Sequence, residues 1–555
     1  MAFRPPIGFS DFRRIREDGM TYVDKTSVVQ RVLATTSAVF LLPRPRRFGK
    51  TLNLTTLRCF LEKSPHDFSR LFEGLQVWDD PEARAHFQRY PVVFLSFKDV
   101  KFRSWPECLA SVARQVALAC GEHREVLEGA TEQDRARFEA LLDEKAEVAG
   151  LANALALLTR LLAAHHGEQV VLLIDEYDTP IHAGYVSSYY DEVVTFFRVF
   201  LSAGLKDNVH LFKGVITGIL RIAKENLFSG LNNLQVFGLQ EQPFATDFGF
   251  TEEEVAELAR LASAEQHGET MRAWYDGYRF ADHVIYNPWS ILSFLADPVH
   301  EARAHWVMTS SNDLLYEALR GGLEHPADIE ALLAGGAVER EVADSMVLRD
   351  LVPGSAAVWT LLFHSGYVTA TGLHQDELGV RTLTLRIPNL EVRTAYRSIF
   401  ARYLGGLDAN RARTLRGALF HGDAETLGLI LSDTVREVLS YFDLDPVVPE
   451  RVYHAFLAGL LVNLAPHHEV RSNRESGYGR YDVMVLPRTP GQPGAVMELK
   501  ALRGKDTVPQ ALEKAARQLV DRQYATELRA RGADPIHGFA VVFDGKQVHV
   551  ESVEV

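Results

Sequence analysis

Cysteine is scarce in this sequence, which contains three cysteines among 555 residues: Cys59, Cys108 and Cys120. Three is an odd number and the spacing matches no metal-ligand pattern, so the sequence predicts neither a disulfide framework nor a cysteine-bound metal. We therefore expect three buried, small apolar side chains in a protein of the reducing cytoplasm.

Long apolar runs are absent as well. No uninterrupted stretch reaches about 18 apolar residues, the length that a membrane-spanning helix needs. The first residues also lack the basic segment and apolar core of a secretory signal peptide. We therefore expect no membrane as a partner.

Positive charge is in deficit, because 59 Lys and Arg face 73 Asp and Glu, a net charge of −14 at pH 7. A chain of this charge does not coat nucleic acid by bulk electrostatics. Any contact with nucleic acid therefore needs a local basic surface.

The sequence does contain the composition of a large globular protein, with 47% hydrophobic and 24% charged residues. Its length predicts about three or four domains. Strands alternate with helices in residues 1–245, which predicts a nucleotide-binding α/β domain with a mostly parallel sheet. We interpret residues 246–440 as a helical lid and connector, and residues 441–555 as a small α/β unit.

A phosphate-binding loop is indicated at Ala38–Leu54, AVFLLPRPRRFGKTLNL. A buried strand leads into a turn, and Gly49, Lys50 and Thr51 open a helix. Glycine lets backbone N–H groups close on phosphate, lysine reaches the outer phosphates, and the threonine hydroxyl holds Mg²⁺ at the helix N-terminus. Arg44 stands where the full pattern has its first glycine. By itself this stretch is also compatible with an ordinary strand-to-helix turn.

The acidic partner of such a loop follows at Val170–Asp178, VVLLIDEYD. Five apolar residues predict a strand buried on both faces, and Asp175 and Glu176 lie at its C-terminal end, where open α/β sheets bind ligands. Asp175 would hold the hydration shell of Mg²⁺, and Glu176 would polarise the attacking water. An isolated Asp-Glu pair can instead be a solvated turn, but two half-motifs in the right order predict a magnesium-nucleotide site.

A third strand, at residues 209–217, ends in Thr217 and is followed by Arg221. In NTPases whose acidic strand lies one place from the phosphate-loop strand, a polar residue at this position senses the γ-phosphate, and a nearby arginine can complete the charge cage. The alternatives are a hydroxyl that satisfies backbone for Thr217 and a surface salt bridge for Arg221. Aromatic clusters at Trp274–Phe280 and Tyr286–Trp289 predict core packing.

The last part of the chain contains a second set of reactive residues. Asp482 lies in a predicted strand, and Glu498 and Lys500 face one side of the next strand because strand side chains alternate. Carboxylates on adjacent strands can bind Mg²⁺ or Mn²⁺, and a lysine beside the metal can activate water for phosphodiester hydrolysis. Glu450, on the preceding helix, is a further candidate ligand. Glu-x-Lys alone is also an exposed strand pattern, and a glutamate at a helix start can act as a cap.

Seven motifs in this order resemble those of bacterial and archaeal AAA-ATPase-like proteins: YVDKT, RPRRFGKT, LIDEYDTPI, TGILRIAKENLFSGLNNL, WYDGYRF, YNPWS and IPNLEVR. The C-terminal domain of that family belongs to the PD-(D/E)XK nuclease superfamily, and GRYD, ELK and a helix follow here at suitable spacing. The resemblance covers nearly the whole chain, and Arg44 matches the family's own RPRRFGKT form.

The resemblance implies an α/β fold, in which a P-loop NTPase domain of the ASCE, AAA-like type with a helical lid and connector precedes a small PD-(D/E)XK domain. It implies catalytic roles for Glu176, Asp482, Glu498 and Lys500. The nucleotide-binding residues would be Arg47, Phe48, Gly49, Lys50, Thr51, Asp175, Thr217 and Arg221, and the metal ligands Thr51, Asp175, Glu450, Asp482 and Glu498. Gln518 and Tyr524, in a Q-x5-Y pattern, would contact nucleic acid, with helix packing as the alternative.

Two hypotheses for the function follow. The first is an ATP-dependent, Mg²⁺- or Mn²⁺-dependent nuclease that forms a homo-oligomer and acts on nucleic acid, with DNA favoured over RNA, in defence against foreign DNA. The second is a nucleotide-dependent switch whose nuclease-like domain binds nucleic acid or a partner protein without cleaving it. The intact acid-acid-lysine set favours the first hypothesis.

Overall fold

The computed structural model describes residues 3–222, 233–306, 326–333, 335–343, 348, 356–375, 377, 380–403, 409–439, 457, 460–461, 468–476, 479–502, 506–522, 524–545 and 547–555. The contacts divide the chain into two compact units. The first unit is Met1–Gly322 with Glu339–Val392, and the second is Leu323–Val338 with Arg393–Val555. The predicted domain limits at residues 245 and 440 stay predictions.

A five-stranded parallel sheet organises the first unit. Its strands are β1 (Val39–Pro43), β2 (Val92–Ser96), β3 (Val170–Asp175), β4 (Leu211–Gly218) and β5 (Leu234–Val236). They lie in the order β2-β3-β4-β1-β5, and every neighbouring pair is parallel. One strand, β4, therefore separates the acidic strand β3 from the loop strand β1. This is the strand order expected for an NTPase of the ASCE type.

Local sequence explains the buried strands of this sheet and the starts of two of the helices. Every residue of β1 and β3 is buried, as the apolar sequence of a central strand predicts. The helix after β1 begins at Lys50, and Gly49 before it has φ +84°, a left-handed conformation that glycine adopts without strain. Thr131 caps the helix Glu132–Leu142 by accepting a hydrogen bond from the backbone N–H of Asp134.

The other described helices of the first unit are Phe12–Glu17, Ser27–Ala34, Pro81–Arg84, Trp105–Glu122, Val148–Ala152, Ala154–His166, Thr179–Val186, Tyr190–Leu205, Glu252–Leu261, Gly268–Tyr275, Pro288–Ala296 and Ala356–His364. The segment interpreted as a helical lid and connector also contains strands. These are β6 (Tyr278–Phe280), β7 (His283–Ile285), β8 (Val338–Glu341), β9 (Thr369–Gln375) and β10 (Arg381–Arg386). The strand-like sequence TLTLRI, Thr382–Ile387, predicts a small β element, which β10 confirms by pairing antiparallel with β9.

A second five-stranded sheet organises the second unit. Its strands are β11 (His468–Ser476), β12 (Gly479–Pro487), β13 (Gly494–Ala501), β14 (Ile536–Asp544) and β15 (Gln547–Val553), which pair in this order. β13 and β14 are parallel, and the helix Val508–Asp521 connects them, while the other pairs are antiparallel. The predicted α/β fold class is confirmed for both units.

The remaining described helices are Pro326–Leu333, Leu390–Tyr403, Ala409–His421, Ala424–Leu439 and Ala525–Ala530. The sequence pattern does not predict β15, because QVHVESV mixes polar and apolar residues. It pairs along its whole length with β14 and forms one edge of the sheet. An edge strand can keep polar residues on its exposed side, which weakens its sequence pattern.

The three cysteines are buried, free thiols, as the sequence predicts. Burial raises the pKa of Cys59 to about 12, of Cys108 to about 11 and of Cys120 to about 12. In the part of the chain that the structure describes, every helix is too short or too polar to cross a membrane.

Candidate nucleotide and nuclease sites

Asp175 is the point at which the predicted nucleotide-binding elements meet. The Thr51 hydroxyl donates a hydrogen bond to one Asp175 carboxylate oxygen, and the Thr217 hydroxyl donates to the other, each at 2.7 Å. Burial raises the pKa of Asp175, and so does the charge of Glu176, while the two hydroxyl groups lower it. The fold therefore brings the phosphate loop and the ends of β3 and β4 to one buried carboxylate.

Lys50 lies inside the phosphate loop. Its ammonium group donates hydrogen bonds to the carbonyl oxygens of Arg44 and Pro45, both at 3.1 Å, and the residue is 5% exposed. Burial lowers the pKa of Lys50, while the carboxylates of Glu176 and Asp175 raise it. A cation enclosed by loop carbonyls beside two acids is placed to exchange those carbonyls for phosphate oxygens.

Arg44 replaces the first glycine of the usual pattern for a structural reason. Its side chain is fully buried, and its guanidinium donates hydrogen bonds to the carbonyl oxygens of Pro43, Phe237, Gly238 and Phe244. The backbone N–H of Arg44 donates to the carbonyl of Gly218. The backbone bond to β4 would be available to any residue other than proline, but only the arginine side chain ties the phosphate loop to the segment after β5, which a glycine cannot do.

Replacing Arg44 by glycine restores the usual loop pattern, yet we expect it to destabilise the protein by about 3–5 kcal/mol. The substitution leaves buried carbonyl oxygens without their donor and opens a cavity. Urea unfolding of Arg44→Gly and wild type measures this loss. Arg70→Ala, at an exposed arginine, is the control and should cost under about 0.5 kcal/mol. An Arg44→Gly protein as stable as wild type contradicts the structural role.

Two residues that the sequence analysis missed fix the end of β4. The Asp178 carboxylate accepts hydrogen bonds from the backbone N–H groups of Ile219 and Leu220, at 2.8 and 3.0 Å. A Cβ on Gly218 would lie 2.8 Å from both the Asp178 carboxylate and the Tyr177 ring, so this position requires glycine. These contacts hold the strand end that carries Thr217, and no local sequence signal indicates them.

Glu176 directly follows β3, and Arg221 follows β4. Glu176 has φ +50°, and its carboxylate accepts a hydrogen bond from the Thr179 hydroxyl at 3.2 Å. A left-handed conformation is uncommon for glutamate and is a feature of strained functional positions. Arg221 lines a cavity with Pro43 and Arg381. The catalytic role of Glu176 and the γ-phosphate role of Arg221 stay predictions.

The aromatic motifs of the first unit pack directly against the phosphate loop. Phe48 is fully buried, with its ring centroid 4.9 Å from that of Tyr278 and 5.2 Å from that of Phe280. The Arg47 guanidinium lies over the Trp289 ring, 4.0 Å from its centroid. The predicted core packing is confirmed for Tyr278 and Phe280, and Phe48 belongs to the same packing.

A buried carboxylate links these motifs to the later IPNLEVR segment. Glu391 accepts hydrogen bonds from the Ser290 hydroxyl at 2.7 Å and from the backbone N–H of Trp306 at 2.6 Å. The Asn389 side-chain amide donates to the carbonyl of Asp276 at 2.7 Å. Two neighbouring motifs and a third motif about 100 residues later therefore pack together beside the phosphate loop.

Glu391 gives this wall a pH dependence. Burial raises its pKa from 4.5 to about 7, while the hydrogen bonds from Trp306 and Ser290 lower it. Between pH 4.5 and about 7 the folded state keeps a proton on Glu391 that the unfolded state has lost, so the free energy of unfolding falls as the pH rises. The stabilisation by the protonated carboxyl is therefore fully present below pH 4.5 and is lost as the pH rises through about 7.

We therefore expect the free energy of unfolding of wild type to fall by up to about 3 kcal/mol relative to that of Glu391→Gln between pH 5 and pH 8. Urea unfolding at both pH values measures the difference. The exposed Glu265→Gln is the control and should keep the wild-type pH dependence. Identical pH slopes for wild type and Glu391→Gln would show that the carboxyl titrates normally.

The second candidate site lies on β12 and β13. The Lys500 ammonium donates a hydrogen bond to the Glu498 carboxylate at 2.7 Å, which confirms that the two side chains share one side of the strand. The backbone N–H of Leu499 donates to the Asp482 carboxylate at 2.7 Å. Val483 pairs with Met497, so Asp482 lies level with Glu498 on the adjacent strand. The two acids and the lysine therefore lie close together.

Tyr524 lies beside these acids but inside the core. It is 1% exposed and packs with Leu519 and Leu528. Burial raises its pKa to about 12, as do the charges of Glu498 and Asp482. This burial favours the packing alternative over the predicted contact with nucleic acid.

The donors present at the two sites are the type that Mg²⁺ and Mn²⁺ prefer. The first site has the Asp175 carboxylate with the Thr51 hydroxyl, and the second has the carboxylates of Asp482 and Glu498. Within the described residues, no group of three or more His, Cys, Asp and Glu side chains is arranged to hold a metal ion. Glu450, the predicted third acid of the second site, lies outside those residues. Gln518 is half-buried on the helix Val508–Asp521, and its contact with nucleic acid stays a prediction.

Comparisons with known proteins match two regions of the chain. Residues 6–228 match the family described as "Predicted AAA-ATPase", and residues 448–553 match the PD-(D/E)XK nuclease superfamily. A protein of Azotobacter chroococcum mcd 1, described as "Uncharacterized protein in vnfD 5'region", is 29% identical over 549 residues. That similarity covers 97% of this chain and 96% of the relative. The resemblance read from the motifs is confirmed.

Proposed function

Since one chain carries an AAA-ATPase-like domain and a PD-(D/E)XK nuclease superfamily domain, we propose that it binds and hydrolyses ATP and cleaves nucleic acid in a metal-dependent reaction. The observation that carries the proposal is the presence of two sites of matching chemistry. Asp175 is hydrogen-bonded to the hydroxyl of Thr51, next to Lys50, and Glu498 is hydrogen-bonded to Lys500.

At the first site each residue has a distinct role. Lys50 would bind the outer phosphates after releasing the loop carbonyls, and the hydroxyls of Thr51 and Thr217 would keep the Asp175 carboxylate oriented. Glu176 would orient and deprotonate the attacking water. Thr51 and Asp175 would hold Mg²⁺, which when bound neutralises charge on the phosphates.

At the second site the acids and the lysine share the work. Asp482 and Glu498 would hold Mg²⁺ or Mn²⁺, which when bound polarises a phosphodiester and lowers the pKa of water. Lys500 keeps its ammonium against Glu498 and would orient the attacking water. DNA is the favoured substrate, and we include homo-oligomer formation and defence against foreign DNA in the proposal.

A second candidate function is a nucleotide-dependent binding switch without cleavage. The pairing of Glu498 with the Lys500 ammonium favours it, because that carboxylate already has a cationic partner without a metal ion.

Cleavage assays with the full chain separate these functions. Plasmid DNA, single-stranded DNA and RNA are incubated with Mg²⁺ or Mn²⁺, in the presence and absence of ATP. The proposal expects metal-dependent cleavage whose rate changes with ATP. Binding of a substrate without cleavage under every condition supports the switch instead.

A further inference from the structure

The contact between Arg47 and Trp289 has no role in the function proposed above. The Arg47 guanidinium carbon lies 4.0 Å from the centroid of the Trp289 ring, the geometry of a cation–π interaction. Arg47 is exposed and lies two residues before Gly49, within the phosphate loop. Its φ is +68°, the left-handed region that non-glycine residues seldom occupy.

Trp289 is held in place by buried neighbours on both sides. It belongs to the first turn of the helix Pro288–Ala296, where the Asn287 side chain accepts a hydrogen bond from the backbone N–H of Ser290. Asn287 and Ser290 are fully buried, and the Ser290 hydroxyl is bonded to Glu391. The backbone that carries Trp289 is therefore held in place, and its half-buried ring lies under the Arg47 guanidinium.

The charges around Arg47 indicate which end of a nucleotide it would meet. Partial burial lowers the pKa of Arg47, and the charge of Glu176 raises it. The same carboxylate raises the pKa of Lys50. The positive charges of Lys50 and Arg47 therefore both interact with the Glu176 carboxylate. Glu176 is the residue proposed to orient the attacking water next to the outermost phosphate.

We propose that Trp289 is a positioning residue that holds the Arg47 guanidinium for the outermost phosphate of a nucleoside triphosphate, so that the site distinguishes ATP from ADP. This inference depends on the proposed nucleotide site. A guanidinium offers paired donors that match phosphate oxygens, and stacking on a ring leaves those edge donors available. A mobile arginine side chain would lose more conformational entropy on binding phosphate than a side chain that is already held by the tryptophan ring.

Nucleotide titrations of the full chain test the inference. In Trp289→Ala we expect ATP affinity to fall about five- to tenfold, the size of one cation–π contact, and ADP affinity to stay within about twofold of wild type. Trp289→Phe, which keeps an aromatic face, should recover part of the loss. In the Arg47→Ala background, Trp289→Ala should cost nothing further, because the two residues act as one unit.

Trp274→Ala is the matched control. Trp274 lies on the neighbouring helix Gly268–Tyr275 and packs against the buried cluster of this region. Among the described contacts, Arg47 stacks on Trp289 and not on Trp274. Trp274→Ala should leave the ratio of ATP to ADP affinity unchanged. Equal losses of ATP and ADP affinity in Trp289→Ala would assign the tryptophan a purely structural role, and an unchanged ratio in a folded variant would also overturn the inference. A wild-type protein that binds neither nucleotide would instead overturn the nucleotide site itself.

Discussion

Glu498→Ala is expected to lower nucleic-acid cleavage by about two to three orders of magnitude while ATP hydrolysis continues. Glu498 is 2% exposed and accepts the hydrogen bond from Lys500, so its removal takes away a proposed metal ligand and the partner of the lysine. The rate of cleavage with Mg²⁺ or Mn²⁺, measured beside phosphate release from ATP, checks both parts of the expectation.

Two further variants exclude simple misfolding as the cause. Glu498→Gln keeps the side-chain volume but lacks the negative charge, so we expect it to be folded and equally inactive. Glu551→Ala is the matched control, because Glu551 is an exposed glutamate in the same sheet and pairs across β14 with Ala540, which also pairs with Glu498. Glu551→Ala should cleave at the wild-type rate.

Cleavage by Glu498→Ala at the wild-type rate would remove this residue from the reaction. If wild type and Glu498→Ala are equally inert on every DNA and RNA substrate, the nuclease proposal fails. Retained binding of those substrates would then establish the binding switch.

Lys50→Ala is expected to weaken ATP binding by about a hundredfold or more and to abolish hydrolysis. The ammonium group is a buried charge enclosed by carbonyl groups of the phosphate loop, and replacing it removes the cation proposed to bind the outer phosphates from inside the loop. Titration of ATP and measurement of phosphate release check the two effects separately. Lys63→Ala, at an exposed lysine just after the same helix, is the control and should change neither.

Glu176→Gln separates binding from chemistry at the same site. It keeps the size of the side chain but removes the carboxylate proposed as the base, so ATP should still bind while phosphate release falls by about two orders of magnitude. Unchanged phosphate release in Glu176→Gln would exclude Glu176 as the base. Tight ATP binding by Lys50→Ala would show that nucleotide binds elsewhere.

ATP hydrolysis and nucleic-acid cleavage are coupled only if a substitution at one site changes the reaction rate at the other site. An ATP-gated nuclease predicts that Lys50→Ala alters cleavage although Asp482, Glu498 and Lys500 are unchanged. The reciprocal expectation, that substrate nucleic acid changes ATP turnover, follows from the linkage between two binding sites when the coupling acts on affinity.

Several features of the nucleotide site could be predicted from local sequence. Gly49, Lys50 and Thr51 follow an apolar strand, and Asp175 and Glu176 end another, so each half of the site has its own signal. The parallel order of the strands was predictable from their alternation with helices. Because the C-terminal ends of parallel strands lie at one edge of a sheet, these residues were expected to meet, and the Thr51–Asp175 hydrogen bond shows that they do.

Other features had no local signal. Arg44 looks like a defect in the loop pattern until its guanidinium is found on carbonyl groups about 200 residues away, such as that of Phe244. The aromatic residue Trp289 reads as ordinary packing until Arg47 is found over its ring. Such contacts depend on which segments pack together, and periodicity within one segment does not contain that information.

The sequence by itself determined which reactive groups this protein has and which strands and helix starts carry them, because those properties depend on residues within one turn or one strand. Only the tertiary structure decided which groups share a site: the hydroxyls on Asp175, the carbonyls around Arg44 and the tryptophan under Arg47. The physical reason is that strand order and packing set the distances between segments far apart in the chain. Hydrogen bonds and cation–π contacts form only at those short distances.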